Sequence, residues 1–138
     1  MQFLLSRKLQ RLTRLYHAVI ARELPDFNSE NYGEIILILF SQEVPLTNKE
    51  LSEHLQLDKS RVAVLTDYLA KHEYIYTEVN REDRREHFVY LTEKGKLVAP
   101  VIQAAVQKVN GILHEEVEQH HLVSFYMTLK QMERNLLK

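Results

Sequence analysis

Cysteine is absent from the 138-residue chain, and glycine and proline occur only three times each. Without a thiol there is no disulfide, no thiolate zinc site and no cysteine-based peroxide sensing. So few breakers favour long helices and argue against an all-β fold. The opening segment Met1–Arg7 has too short an apolar run for a signal peptide, and no later stretch is long enough to span a bilayer. A soluble, cytoplasmic protein is therefore expected. A nucleophile–base constellation, a glycine-rich phosphate loop and a paired-carboxylate motif are all missing, so an enzyme is not expected and no cofactor is implied.

What is present is ordinary in bulk and uneven in detail. Hydrophobic residues make up 45% and charged residues 27%, as in a globular domain large enough to bury a core. The formal net charge is −1. Residues 1–24 hold five Lys/Arg against Glu23 alone, whereas residues 47–95 hold eight Lys/Arg against ten Asp/Glu. The second stretch is thus less basic than a nucleic-acid reader usually is.

Hydrophobic periodicity divides the chain. Leu5, Leu9, Leu12, Tyr16 and Val19 form one apolar stripe with cations on the other faces, which predicts an amphipathic helix over residues 3–23. After Leu24-Pro25-Asp26 and the turn-rich Asn28-Ser29-Glu30-Asn31, the run Ile35–Phe40 is apolar all round. We read a buried helix from about Tyr32 to Gln42, although a β-branched run of this length also suits a strand. Pro45-Leu46 reads as a break. Thr47-Asn48-Lys49-Glu50 is a capping box that opens a short helix to about Gln56. Asp58 is an N-cap for the next helix, with Val62, Leu65 and Leu69 inward. Two β-rich runs, Ile75–Val79 and His87–Leu91, flank a charged turn and predict a hairpin. Thr92-Glu93 begins a long helix through Val117, kinked at Pro100, where an interior hydrogen bond is lost. A last helix from about His121 carries Leu122, Phe125, Leu129, Met132 and Leu136.

The order is two helices, a helix-turn-helix, a hairpin and two more helices. The fold class is mainly α with a small β-hairpin wing. In such a lobe the second short helix is the one that enters a major groove, with its first turn toward base edges.

These residues resemble the MarR family of transcriptional regulators. The resemblance rests on Leu46–Leu55, Asp58-Lys59-Ser60-Arg61-Val62, Asp83-Arg84-Arg85 and Leu91-Thr92-Glu93-Lys94-Gly95. It implies a single domain over 1–138, with a winged helix-turn-helix lobe at about 31–95 and dimerisation helices at about 1–30 and 96–138. It further implies a homodimer that binds double-stranded operator DNA, usually as a repressor, and is released by a small aromatic or phenolic effector. On this likeness Lys59, Ser60 and Arg61 reach bases or phosphates, and Arg85 enters the minor groove from the wing tip. Asp83 orients the wing through a carboxylate–guanidinium pair. Arg81 and Arg84 contact phosphates, and Thr47 and Asn48 offer helix N-terminal amides to one. Leu5, Leu9, Leu12, Tyr16, Phe125, Leu129 and Met132 face the dimer partner. Tyr16, His17 and Tyr32 lie on the two helices where an effector pocket is expected, although packing is the simpler role for each.

Two departures stand out. Ala63 and Val64 occupy recognition-helix positions where the family often has polar side chains, and Glu73 replaces the usual helix-ending glycine. The second predicts a different helix end and a re-aimed wing, because a left-handed Glu73 costs about 1–2 kcal/mol. Together with the local acidity, these departures predict modest or strongly salt-dependent DNA affinity. Two alternatives carry their own signals: a protein-interaction module that has lost most DNA binding, and a metal-responsive repressor using His114, Glu118 and His121 at four-three spacing. A helix break expected between Glu118 and His120 weakens the second.

Overall fold

A computed structural model describes residues 4–27 and 30–138. Phe3, at the start of the first predicted helix, and the turn residues Asn28 and Ser29 lie outside the described residues. The chain runs α1 (Leu4–Glu23), α2 (Glu30–Ser41), β1 (Leu46–Thr47), α3 (Asn48–Leu55), α4 (Lys59–Lys71), β2 (Ile75–Val79), β3 (His87–Leu91), α5 (Glu93–Leu113) and α6 (Gln119–Leu136).

The Ile35–Phe40 run is helical. Ile35, Ile36 and Leu39 are buried at the centre of the core, which removes the amphipathic signal that would have decided between helix and strand. Around them pack Leu51 of α3, Val62, Leu65 and Leu69 of α4, Ile75 and Val89 of the sheet, and Ala99, Ile102 and Ala105 of α5. Gly33 lets α2 approach α5, since a Cβ there would meet the Ile102 Cγ2 at 3.2 Å. α5 continues without interruption through Pro100.

The predicted break at Leu46 is instead a two-residue strand. β1 pairs antiparallel with β3, Leu46 opposite Val89 and Thr47 opposite Phe88, giving a three-stranded sheet in the order β1-β3-β2. In β2 and β3 the hairpin has its expected bounds, and Tyr76 stacks on the directly opposed Tyr90 at 5.0 Å. The long helix ends earlier than its pattern suggests. His114 caps it, Glu116 takes a left-handed φ of 61°, and Val117 belongs to the turn that leads into α6. Among the described residues no helix is long and apolar enough to cross a membrane.

Candidate nucleic-acid interface

The capping box and the N-cap both form, and they aim two helix starts at one cleft. The Thr47 Oγ1 accepts from the Glu50 amide at 3.1 Å, and the Glu50 carboxylate accepts from the Thr47 amide at 3.4 Å. Asp58 accepts from the Arg61 amide at 2.8 Å and from the Ser60 hydroxyl at 2.7 Å. These bonds hold the Asp58 carboxyl below the ordinary carboxylate range. The cleft between these starts and the hairpin tip is lined by Thr47, Asn48, Lys59, Asp83 and Arg85. It collects residues from three sequence segments.

The wing tip is built around Asp83. The Asn80 amide donates to the Glu86 carbonyl at 2.9 Å, and the Glu86 amide to the Asp83 carbonyl at 3.0 Å. Asp83 Oδ1 accepts from both the Arg85 amide and its Nε at 3.1 Å, and Oδ2 accepts from the Nη2 at 3.4 Å. The arginine bonds lower the Asp83 pKa. This is the local carboxylate–guanidinium pair that the resemblance implies. The Arg85 side chain stays 92% exposed. A solvent-facing pair of this kind is weak, so the guanidinium can trade Asp83 for a phosphate or a base edge at little cost.

Not every predicted contact residue shares the cleft. Ser60 spends its hydroxyl on Asp58, and Thr47 is buried with its side chain committed to the cap. Arg61, Arg81 and Arg84 are exposed but stand outside the cleft lining. Lys49, Glu86 and His87 line it and were not singled out from sequence, and Ala63, which the sequence marks only as an apolar departure on the recognition helix, lines it too. The pairing of Thr47 with Phe88 brings His87 beside the α3 start. That neighbour is legible only once β1 is known. Asn48 Oδ1 is buried in this region without a hydrogen-bond partner.

The end of α4 corrects the expectation for Glu73. It does adopt a left-handed φ of 65°. Its amide donates to the Ala70 carbonyl at 3.0 Å, and the Tyr74 amide to the Leu69 carbonyl at 2.9 Å. That is a Schellman ending with glutamate in the glycine position. The helix therefore stops as it would with glycine, and backbone strain is absorbed rather than avoided. Bonds from the N-cap and first turn of α5 hold the turn: Thr92 Oγ1 to the Glu73 carbonyl at 2.6 Å, the Thr92 amide to the Tyr74 carbonyl at 3.1 Å, and Lys94 Nζ to the His72 carbonyl at 2.8 Å. Lys94 Nζ also lies 4.3 Å from the centre of the Tyr74 ring. Gly95 sits so close that any Cβ would strike the Tyr74 carbonyl. The Leu-Thr-Glu-Lys-Gly motif is thus the weld between α4, the wing and α5.

The MarR family model matches residues 35–87, from α2 through the helix-turn-helix to the first residue of β3. Over that stretch the chain is similar to the MarR family. It is similar to the exopolysaccharide II synthesis transcriptional activator ExpG of Rhizobium meliloti, 26% identical over 134 residues that cover 95% of this chain and 69% of that protein. S. aureus MepR in its DNA complex superposes with a TM-score of 0.88 at 18% identity, over 95% of this chain and 97% of that one. Bordetella bronchiseptica BpsR, whose DNA binding is regulated by 6-hydroxynicotinic acid, gives 0.81 at 15% identity over 94% and 92%. Both structural likenesses concern the fold.

Two further features of the chain lie away from the cleft. A cavity of about 230 Å³ opens between α1, α2 and α5, with Tyr16 and His17 among its lining residues. The Tyr16 hydroxyl donates to Asn110 Oδ1 across to α5 at 2.8 Å. Burial raises its pKa, with smaller contributions from Tyr126 and Glu34. Tyr32 is not part of this lining and stacks on Tyr68 at 4.1 Å. The second feature is a set of uncovered apolar side chains. α6 has no buried residue, and Phe125 and Met132 are more than 40% exposed, as are Leu5 and Leu12 of α1. Leu9 is exposed and Leu129 half-buried.

The histidine grouping differs from the predicted one. Because the chain turns after Leu113, His114 is separated from the α6 start and meets the Tyr126 hydroxyl at 3.2 Å. Glu118, His120 and His121 are the residues that come together, all exposed, with His120 Nδ1 3.3 Å from the Glu118 carboxylate. His120 was missed because spacing was counted along a helix that does not continue.

Proposed function

We propose that this chain is a homodimeric regulator of transcription that binds duplex DNA sequence-specifically and is released when a small molecule occupies the α1–α2–α5 cavity. The observation that carries the reading is the shared cleft, in which Lys59 on the first turn of α4 and Arg85 on the wing tip line one surface. Residues 31–95 act as the reading lobe, and residues 1–30 and 96–138 form the dimer. α4 lies in a major groove, with Lys59 toward a base edge or phosphate and Ala63 against a thymine methyl group. Arg85 leaves Asp83 for the adjacent minor groove, while Arg61, Arg81 and Arg84 approach the backbone. MepR is known in complex with DNA, and BpsR responds to a small aromatic acid. The lobe's excess of acidic residues limits affinity and makes salt decisive.

Replacing Arg85 with Ala tests the reading. At fixed salt the affinity for upstream promoter DNA is expected to fall about tenfold or more, with thermal stability and dimer mass unchanged. Undiminished binding would refute the wing assignment. A second reading, a protein-interaction module, is favoured by the 58% exposed Val64 on α4 together with the local acidity. It wins if no shift occurs at low salt and a partner protein protects Val64 from exchange or labelling.

A further inference from the structure

The turn between α5 and α6 gathers a ligand set of its own. Between Lys108 and Lys130 the sequence has no lysine or arginine, yet it holds His114, Glu115, Glu116, Glu118, His120 and His121. After the left-handed Glu116, α6 starts at Gln119. Glu118 is the N-cap residue of α6 but makes no side-chain cap bond. Its carboxylate lies instead 3.3 Å from His120 Nδ1. His121 joins the pair, with the two imidazole centres 4.0 Å apart. One ligand atom from each of Glu118, His120 and His121 lies within 4.8 Å of the others, and all three residues are exposed.

Two imidazoles and a carboxylate suit a divalent ion of the first transition row, with water in the remaining position. Tetrahedral Zn²⁺, with bonds of about 2.0–2.2 Å, sets neighbouring ligand atoms about 3.4 Å apart. The Glu118–His120 separation already fits, and rotation about exposed side-chain bonds closes the wider ones. The ion takes the place of the proton that a charged His120 shares with Glu118. The positive end of the α6 dipole opposes a cation, but at an exposed site that effect is screened. We propose that Glu118, His120 and His121 bind one zinc-class ion per chain and that the ion staples the first turn of α6. Ligands at the N-cap and at the second and third helical positions fix the turn whose formation costs a helix most. Burial gives that turn no help, because α6 has no buried residue. The set differs from the grouping that spacing along one helix suggests, since His114 is turned to Tyr126. It lies apart from the cleft and does not depend on the DNA reading.

The test uses the tag-free full chain, stripped with a chelator, and Zn²⁺ alone. Calorimetry at about pH 7.5, where imidazole is neutral, should show one ion per chain with a Kd below about 100 μM. His120→Ala, His121→Ala and Glu118→Gln should each weaken binding about tenfold or more. His114→Ala, and His54→Ala on α3, should leave it unchanged. Circular dichroism should report the same fold for every variant, because the substituted side chains are exposed. Hydrogen exchange reads the staple: Zn²⁺ should slow amide exchange at the start of α6 in the wild type and not in His121→Ala. Weaker binding than stated, undiminished binding in His120→Ala or His121→Ala, or a tenfold loss in His114→Ala overturns the site. Zinc binding that leaves exchange at the start of α6 unchanged overturns the staple.

Discussion

Glu73 carries a backbone conformation that suits glycine, and its neighbour in space, Gly95, carries a close approach that only glycine permits. The two positions therefore respond oppositely to substitution. Glu73→Gly should stabilise the protein by about 1 kcal/mol, because the left-handed φ then costs little. The Glu73 contacts that matter are made by its backbone amide and carbonyl, which glycine keeps. Gly95→Ala should destabilise by about 1–3 kcal/mol, since the new methyl meets backbone and the α5 start has to move. Thermal melts of both variants at matched concentration check the pair. Equal effects in one direction would mean that the α4–wing–α5 weld is not as described. The sequence flagged Glu73 as a departure but could not say which way the chain would resolve it. Three bonds reaching back from Thr92 and Lys94, about twenty residues on, decide the matter, and they are invisible to local propensity.

At the scale of elements, what was legible depended on whether the signal was local. The Thr47 and Asp58 caps and the Asp83–Arg85 pair are made by residues two or three apart, and the hairpin by two β-rich runs on either side of one charged turn; the caps and the hairpin formed as the local pattern implied, and the pair as the resemblance implied. β1 was missed because two residues have no periodicity; it exists through its pairing with β3. The α5 end was misplaced because Val117 continues the apolar spacing, whereas Glu116 in a left-handed conformation ends the helix whatever follows. The same local devices predict an acid response. The Asp58 and Asp83 carboxyls both titrate below their ordinary value of 3.8 when folded. A depressed folded pKa means their contribution is complete above the unfolded value and is lost only as pH falls through the lower folded one. The wing tip and the α4 start should therefore stay ordered at pH 5 and loosen below 3.8. Amide chemical shifts of Arg85 and Arg61 would follow it, and Asp83→Asn should remove the Arg85 response while sparing that of Arg61. Movement of the Arg85 amide in the wild type centred well above pH 4 would contradict the pairing.

For the whole molecule, the question is what covers the apolar side chains that one copy leaves bare. A helix with the apolar residues of α6 and no buried side chain has no reason to hold its place in an isolated chain. Leu5, Leu9 and Leu12 of α1 are similarly uncovered, and Tyr16 alone of the predicted interface residues is tied inward, through Asn110. On the proposed reading a symmetric pair of copies would bury both sets with one self-complementary surface. The arrangement has a functional consequence. Residues 47–95 carry more acidic than basic side chains, so on the proposed reading a single cleft would bind DNA weakly. Joining two lobes makes the second contact intramolecular, which can raise apparent affinity by about 10²–10⁴. The double variant Leu9→Glu/Phe125→Glu should consequently sediment as a monomer. It should keep the helix-turn-helix fold, whose core lies mainly in α2–α5 and the sheet and includes neither Leu9 nor Phe125, and lose about a hundredfold or more in affinity for a two-half-site operator. Its affinity for an isolated half-site should match that of the wild type. A monomer that still bound the full operator tightly would show that one lobe suffices, and a variant that stayed dimeric would show that the two copies meet elsewhere.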